Sequence, residues 1–302
     1  MIKRNFLGLF SFFTLIFSST LQEAFDNSEP FGNYDKYIIL SQDMIYTGGI
    51  GIYEGKIFID GNGAIIDLID GSGIWVYSTE DSPSQLDIQY TTIINGAYYG
   101  INYSGNSSGK IVNCNFINND FGAKFFDTCS VVIENSNFIQ SATYAIGLYT
   151  LEPNIEISYS NFWNNLGGDL QENCPGWGSI WTPWEPLIAP GLIFQDPLFT
   201  NSDNLNYGLH PDSPCIDSGN PENIDLDGTR RDIGAITFIN NSSNLIGDCN
   251  NDSFQNIIDV IFIINNCILS NSNTMCDCSD INLDGQINIL DVVNLIDIIL
   301  TN

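Results

Sequence analysis

Two twelve-residue stretches near the C-terminal end place oxygen-bearing side chains at the same five positions. Asp or Asn stands at positions 1, 3, 5, 9 and 12 of both, and the stretches begin at Asp248 and Asp280. This spacing suits a hard cation such as Ca²⁺, with the backbone carbonyl of position 7 as a further ligand. We therefore expect about two Ca²⁺ ions here. The predicted ligands are Asp248, Asn250, Asp252, Phe254, Asn256, Asp259, Asp280, Asn282, Asp284, Gln286, Asn288 and Asp291.

The two loops differ at the turn position. Position 6 is Gly285 in the second loop and Ser253 in the first, so we expect the first loop to be more strained or to bind more weakly. Each loop runs into an apolar segment, residues 260–269 and 292–300, that predicts a short helix.

Candidates for catalysis are fewer. A lyase acting on uronic acids needs cations to neutralise a carboxylate and a Lys or Arg as base, and Lys124 is the candidate for this role. A glycosidase needs two carboxylates facing one groove, and Asp127 is the candidate, with Asp120 and Asp169 as further loop acids. The alternative for all three acids is that they are solvated loop residues.

Tryptophans are the candidates for binding sugar rings, because an indole face suits the apolar face of a pyranose. The candidate residues are Trp75, Trp177 and Trp181. Trp177 and Trp181 lie in a segment rich in Trp, Pro and Gly, so an alternative role for them is to close the end of the fold that precedes them.

A short sequence pattern recurs four times in the part of the chain that contains Lys124 and Asp127. Copies begin at Ile88, Ile111, Ile133 and Ile157, at steps of 23, 22 and 24 residues. Such a short unit buries an apolar face only by stacking on its neighbours, so the period predicts a solenoid. Period-2 alternation then predicts which side chains face the core. These are Ile101, Tyr103, Ala123, Phe125, Ile146 and Leu148.

The same register predicts an outward row of Trp75, Asn102, Lys124 and Gly147 in successive coils, and it predicts stacked side-chain amides at the turns, as at Asn113 and Asn135. The pattern over residues 37–190 resembles the right-handed parallel β-helix of pectate-lyase-like proteins. That resemblance implies a substrate groove over the outer face of one sheet.

Two further segments carry resemblances of their own. DPLF at 196–199, YGLHPDSPCIDSGNP at 207–221 and DLDGTRRDIGA at 225–235 look like a choice-of-anchor-type segment that follows bacterial surface β-helices. Its Arg230 and Arg231 predict a structural ion pair with Asp217 or Asp232, with a catalytic arginine as the alternative.

The duplicated loop and helix of residues 247–301 resemble a type I dockerin, which is similar to an EF-hand and implies calcium binding and a cohesin partner. The sequence departs from that family at loop positions 10 and 11. Apolar residues stand there instead of small polar ones, which favours an apolar partner or docking onto this chain's own β-helix. These residues are Ile257, Ile258, Ile289 and Leu290.

Composition limits the class of protein. Residues 1–20 have the layout of a signal peptide, with Lys3 and Arg4 before a 12-residue apolar run and cleavage expected near Thr20. Losing these two cations moves the net charge from −28 to −30, which disfavours nucleic acid and anionic membranes. No later apolar run is long enough to span a membrane, so an extracellular or cell-surface protein is expected. Its eight cysteines predict disulfides, with zinc as the alternative for the last four.

The sequence therefore predicts an all-β, right-handed parallel β-helix solenoid followed by a small α-helical, calcium-loop domain. The expected divisions are a signal peptide (1–20), the β-helix (21–190), a cap or choice-of-anchor-like segment (191–239) and a dockerin-like module (240–302). We expect an exported protein associated with polysaccharide binding or breakdown, attached to a partner or the cell surface through the module. The alternatives are a non-catalytic adhesin or structural protein, and a polysaccharide lyase or glycoside hydrolase.

Overall fold

The computed structural model describes residues 18–42, 44–149, 154–171, 189–239, 246–249, 255–269, 276, 278–282 and 284–301. The chain divides into two compact units, Met1–Phe238 and Ile239–Asn302. Most of the expected signal peptide lies outside the described residues, and its cleavage near Thr20 stays a prediction. In the described part of the chain, no helix has the length and apolar character needed to cross a membrane.

The first unit is a right-handed parallel β-solenoid of about six coils, as the repeat predicts. Sheet A contains β1 (Ser18–Thr20), β4 (Ile45–Thr47), β7 (Ile65–Asp67), β10 (Thr92–Ile94), β13 (Asn115–Ile117), β16 (Asn137–Ile139) and β19 (Asn161–Trp163). Sheet B contains β2 (Glu29–Phe31), β3 (Tyr34–Ile39), β6 (Gly55–Asp60), β9 (Ser84–Gln89), β12 (Ser108–Val112), β15 (Ser130–Glu134) and β18 (Asn154–Ser158). Sheet C contains β5 (Gly51–Ile52), β8 (Ile74–Ser78), β11 (Ile101–Gly105), β14 (Phe121–Phe126), β17 (Tyr144–Tyr149) and β20 (Leu170–Gln171).

Each coil runs from sheet B through a tight turn to sheet A and then to sheet C. All pairs within the sheets are parallel except β2 with β3. At the first coil, the short helix α1 (Leu21–Asp26) begins at Thr20, whose side chain accepts a hydrogen bond from the Glu23 N–H. Leu21 of α1 is fully buried in the core.

Apolar stacking along the solenoid axis forms the core. The six predicted inward residues are all at most 3% exposed, which confirms the register. The rings of Phe116, Phe138 and Phe162 stack in successive coils, with centroids 4.9 Å and 5.3 Å apart. This spacing matches the distance of about 4.8 Å between neighbouring strands, so each coil buries its apolar face against the next.

Asparagine forms ladders beside the turn between sheets B and A. The predicted stack is present, since Asn135 Nδ2 donates to Asn113 Oδ1 at 3.4 Å. Both residues have positive φ, which asparagine tolerates better than most residues. A second ladder lies two residues further on, where Asn137 Nδ2 donates to Asn115 Oδ1 at 2.8 Å and Asn161 Nδ2 donates to Asn137 Oδ1 at 3.1 Å.

Residues 189–238, which we call the strap, pack along the outer face of sheet A. The strap contains the antiparallel strands β21 (Phe199–Asn201) and β22 (Asn206–Leu209). Its Tyr207 packs with the outward Ile94, Ile117 and Ile139 of three successive coils, all nearly fully buried. The outer face of sheet A is therefore a second apolar interface.

Hydrogen bonds to the asparagine ladders hold the strap in register with the coils. Asn113 Nδ2 donates to the carbonyl of Asp232 at 2.9 Å, and the Ala235 N–H donates to Asn115 Oδ1 at 3.3 Å. At the other end of the strap, Asn161 Nδ2 donates to the carbonyl of Gln195 at 3.0 Å.

Of the two arginines of the strap, Arg231 pairs with a different acid from those predicted. Arg231 Nε lies 3.2 Å from Asp225 Oδ1, so the ion pair is present but its acid is neither Asp217 nor Asp232. Asp232 instead accepts backbone N–H bonds from Asp217 and Phe238. Burial raises the pKa of Asp232 to about 7 and that of Asp225 to about 6.

The second unit contains α2 (Ile257–Phe262), which continues as a π-helix (Ile263–Ile268), and α3 (Ile289–Thr301). Both helices start three residues earlier than predicted, because Asn256 and Asn288 cap them. Asn256 Oδ1 accepts from the Ile258 N–H at 2.7 Å, and Asn288 Oδ1 accepts from the Leu290 N–H at 2.8 Å.

Disulfides connect the last four cysteines, as Cys249–Cys278 and Cys267–Cys276, so the zinc alternative is wrong. The buried core of the unit contains Val260, Ile263, Val292 and Leu295 beside these bridges. Three cysteines of the first unit are buried free thiols, and Cys174 lies outside the described residues. The free thiols are Cys114, Cys129 and Cys215.

Candidate functional site

The outer face of sheet C carries the predicted row of side chains. Strand pairing aligns Trp75 with Asn102, Asn102 with Lys124 and Lys124 with Gly147. The row therefore crosses four neighbouring strands of a parallel sheet, and its members are spaced by the distance between strands, about 4.8 Å.

Aromatic contacts hold Trp75 at one end of this row. Its ring centroid is 5.6 Å from that of Tyr53 and 5.8 Å from that of Tyr77. The indole Nε1 donates to Ser104 Oγ at 2.8 Å, which fixes the ring plane. All three rings remain between 37% and 52% exposed, so together they form a rigid, accessible aromatic surface.

Asn102 presents an unusual acceptor next to this surface. Its side chain lies on the outward side of β11 but is only 5% exposed. Among the described residues, its Oδ1 has no hydrogen-bond partner. A buried amide oxygen without a donor is unfavourable by about 1–3 kcal/mol, so a donor that reached this oxygen would be favoured.

Lys124 is held over aromatic rings. Its Nζ lies 3.8 Å from the centroid of the Phe121 ring and 5.9 Å from that of Tyr99. These contacts stabilise the ammonium form, because the negative face of a ring attracts a cation. Lys124 therefore fits a charge-presenting role better than that of a neutral base.

The acidic candidates take part in turns. Asp127 follows β14 with positive φ, and its Oδ2 accepts from the Gly105 N–H at 2.9 Å. Asp120 Oδ1 accepts from the hydroxyl of Thr143, and Asp169 Oδ1 accepts from Asn165 Nδ2 at 3.1 Å. Each of these carboxylates thus has a local structural partner.

Several predicted site residues lie outside the described residues, so the structure does not place them. They are Trp177 and Trp181 of the sugar-binding candidates, and Asn250, Asp252 and Phe254 of the first calcium loop.

The second calcium loop is folded around its acidic residues. Asp280 accepts from the backbone N–H groups of Asp284 at 3.1 Å and Gly285 at 2.8 Å. Gly285 has a φ of +78°, the conformation for which glycine is suited at position 6. The buried Asp291 accepts from the Ile281 N–H at 2.9 Å and the Asn288 N–H at 2.8 Å, which draws positions 2, 9 and 12 together.

The first loop repeats this arrangement where it is described. The fully buried Asp259 accepts from the N–H groups of Cys249 and Asn256, both at 2.9 Å. These are loop positions 2, 9 and 12, as in the second loop.

No group of three His, Cys, Asp or Glu side chains within the described ranges is arranged to hold a metal. The predicted calcium set also uses Asn oxygens and a backbone carbonyl, and the folding of the second loop around Asp280 and Asp291 fits such a set.

The helices that follow the loops expose equivalent apolar side chains. Ile257 and Ile258 are 60% and 55% exposed, and Ile289 and Leu290 are 62% and 56% exposed. The same two positions at the start of each helix are therefore apolar and exposed in both halves of the duplication.

Comparisons with known proteins agree with this architecture. Residues 41–174 match the family model described as right handed beta helix region, and residues 246–300 match the model of the dockerin type I domain. No curated protein and no solved structure matches the chain. Dockerin type I domains bind calcium and cohesins, and proteins that contain them are typically extracellular or on the cell surface. Residues 41–174 are thus similar to right-handed β-helix regions and residues 246–300 to dockerin type I domains.

Proposed function

We propose that this is an exported β-helix protein that binds polysaccharide on the outer face of sheet C. A calcium-binding dockerin module attaches it to a partner or to the cell surface. The observation that carries the binding proposal is the exposed aromatic surface around Trp75, in register with Asn102 and Lys124 on the neighbouring strands.

This arrangement has the parts that sugar recognition requires. The Trp75 ring offers an apolar face for a pyranose ring, and Asn102 offers an acceptor for a hydroxyl. Lys124 adds a cation held by Phe121. Binding pockets combine an aromatic surface with a few fixed polar groups in this way.

The attachment proposal rests on the duplicated loops and the exposed helix residues. We propose one ion per loop, about two in all. When bound, Ca²⁺ would neutralise the loop carboxylates and tie each loop together. The apolar Ile257 and Ile289 favour a cohesin-like or surface protein with an apolar face over a polar partner.

A purely binding role is favoured over lyase or hydrolase chemistry. Lys124 is held in a setting that stabilises its charged form. Asp120 and Asp127 accept hydrogen bonds from neighbouring coils, and Asp169 accepts one from Asn165 nearby in the sequence. A lyase or glycoside hydrolase remains the alternative, since a β-helix scaffold by itself does not determine the activity.

A glycan panel tests the proposal. The purified protein is titrated calorimetrically with hexasaccharides of cellulose, xylan, mannan and galactan and with hexagalacturonate. The same mixtures are assayed for new reducing ends and for unsaturated products. Binding without products supports the proposal, and binding with products lost in Lys124→Ala would establish the enzymatic alternative. Failure to bind any of these glycans would overturn it.

A further inference from the structure

A groove of about 1190 Å³ crosses the first three coils where the chain passes from sheet C to sheet B. Its wall contains the register-equivalent residues Lys56, Gln85 and Ser108 of three neighbouring strands, together with Lys36 of β3. Neighbouring coils are about 4.8 Å apart, so the groove is long enough for a short oligosaccharide lying along the solenoid axis.

The groove is continuous with the aromatic surface of sheet C. Tyr53 lines the groove and also packs against Trp75 at 5.6 Å. A glycan stacked on Trp75 would therefore enter the groove at Tyr53.

Six uncharged residues of the lining have side chains that both donate and accept hydrogen bonds. Such groups match sugar hydroxyls, which are also both donors and acceptors. They are Asn33, Ser82, Ser84, Gln85, Asn106 and Ser108.

One of these groups is oriented by a buried carboxylate. Gln85 Nε2 donates to Asp87 Oδ2 at 3.0 Å, and Tyr34 donates its hydroxyl to the same oxygen at 2.7 Å. Asp87 is only 6% exposed, and its Oδ1 has no hydrogen-bond partner among the described residues. The buried Asp87 thus fixes the orientation of Gln85 at the wall of the groove.

The charges of the lining disfavour an anionic ligand. Three acids, Asp35, Glu54 and Asp81, face two lysines, Lys36 and Lys56, so the lining has a net charge of −1. The ammonium of Lys36 already has a hydrogen-bond partner within the protein, because its Nζ donates to the carbonyl of Phe25 at 2.8 Å. The chain as a whole has a charge of −28, so a polyuronate would meet repulsion both at long range and in the groove.

We infer that this groove binds a short stretch of a neutral glycan and that the protein selects neutral chains over uronate chains. The inference rests on the proposed glycan binding by sheet C and adds the substrate class and the second half of the site. Gln85 is a binding residue, and Asp87 is a positioning residue that acts through it.

Two ligands that share one backbone test the charge selection. Highly methyl-esterified homogalacturonan and the same polymer after saponification share one backbone and differ in whether their carboxyl groups are neutral methyl esters or carboxylates. The neutral hexasaccharides of the panel are measured beside them. We expect the esterified polymer to bind at least tenfold more tightly than the saponified one. Binding of the neutral glycans should change less than about twofold between about 20 and about 500 mM salt.

Variants test the groove. Gln85→Ala should weaken neutral-glycan binding about tenfold, whereas Gln89→Ala on the same strand, whose side chain donates to Asp60 at 3.0 Å, should bind normally. Glu54→Lys changes the lining charge from −1 to +1 and should improve binding of the saponified polymer with little effect on the neutral glycans.

Failure of the inference and failure of the proposed function give different results. Equal or tighter binding of the saponified polymer by the wild type would overturn the groove and leave sheet C as the site. So would normal neutral-glycan binding by Gln85→Ala together with unimproved binding of the saponified polymer by Glu54→Lys, while Trp75→Ala loses glycan binding. If the wild type binds none of the glycans, both the groove and the proposed function are overturned.

Discussion

Tyr53 and Trp75 pack edge to face, with their ring planes at 80°. Tyr53 lies at the turn that opens into the groove, and Trp75 lies on the outer face of sheet C. This contact therefore joins the two surfaces that we propose bind one glycan.

Replacing Trp75 by alanine should weaken glycan binding about tenfold or more, because a stacking surface is lost from a partly exposed position. Trp163→Ala is the matched control. It removes the same residue type at nearly the same exposure, 39% against 38%, from sheet A. Calorimetric titration measures both, and equal losses in the two variants would contradict a role specific to sheet C.

Calcium titration of chelator-treated protein should give about two ions per chain. Asp284→Ala removes an exposed carboxylate at position 5 and should reduce this to about one. Asn294→Ala, on the exposed side of α3, is the control. Calcium at 100 times the Kd should stabilise the module by about 2.7 kcal/mol for each bound ion, so the module should melt at a higher temperature with calcium than in chelator. An unchanged stoichiometry in Asp284→Ala would exclude a site in the second loop.

Serine at both Cys249 and Cys278 should weaken calcium binding as well as stability. This bridge joins the beginnings of the two loops, and Cys249 N–H donates to the position-12 carboxylate of Asp259. The bridge closes 29 residues against 9 for Cys267–Cys276, which corresponds to about 3.6 and about 2.6 kcal/mol by loop entropy. Thermal melting in chelator measures the loss of stability, and calcium titration measures the loss of affinity. The Cys267→Ser and Cys276→Ser pair is the comparison. Greater loss of calcium affinity in the comparison pair would contradict the expectation.

Asn137→Ala should lower the free energy of unfolding by about 2 to 4 kcal/mol, since the amides of Asn115 and Asn161 lose buried partners. Asn154→Ala removes an exposed amide that donates to Ser130 at 2.6 Å and should cost less than about 1 kcal/mol. Urea denaturation in chelator measures both. Similar losses would show that the ladder does not stabilise the solenoid.

The strap should become less stable as pH rises from about 4 to about 7. Burial raises the pKa of Asp232 to about 7 and that of Asp225 to about 6, whereas an unfolded Asp titrates near 3.8. Between these values the folded protein holds protons that the unfolded chain has released, so deprotonation favours unfolding. The slope of unfolding free energy against pH, measured in chelator, should be shallower in Asp232→Asn. The same slope in both proteins would mean that Asp232 is already ionised throughout this range.

The repeat predicted most of the solenoid because each inward position lies in the core and needs a largely apolar side chain. Ile101 and Phe125 could be assigned to the core, and Trp75 and Lys124 to the outer face, from period-2 alternation alone. The second amide ladder was missed, although Asn at the fifth position of three copies was a visible signal. The partner acid of Arg231 was also missed, because its position depends on how the strap folds and not on a local pattern.

The groove could not be predicted from the sequence. Its wall combines turns that are each ordinary, such as those of Glu54 and Asn106, and they become one surface only when the coils stack. The unpartnered oxygens of Asn102 and Asp87 likewise follow from burial, which no spacing of residues reveals. Calcium ligands can be predicted from a sequence, because a single short loop supplies the whole set.

The strap also spans a fixed number of coils, because it is attached to the solenoid at two points. Gln195 is tied to the coil of Asn161, and Asp232 to the coil of Asn113, two coils away. Solenoids readily gain or lose a repeat in evolution, but here an inserted coil would displace one of these anchors by about 4.8 Å relative to the other. The number of coils between the two anchors is therefore constrained by the length of a segment that is not part of the repeat.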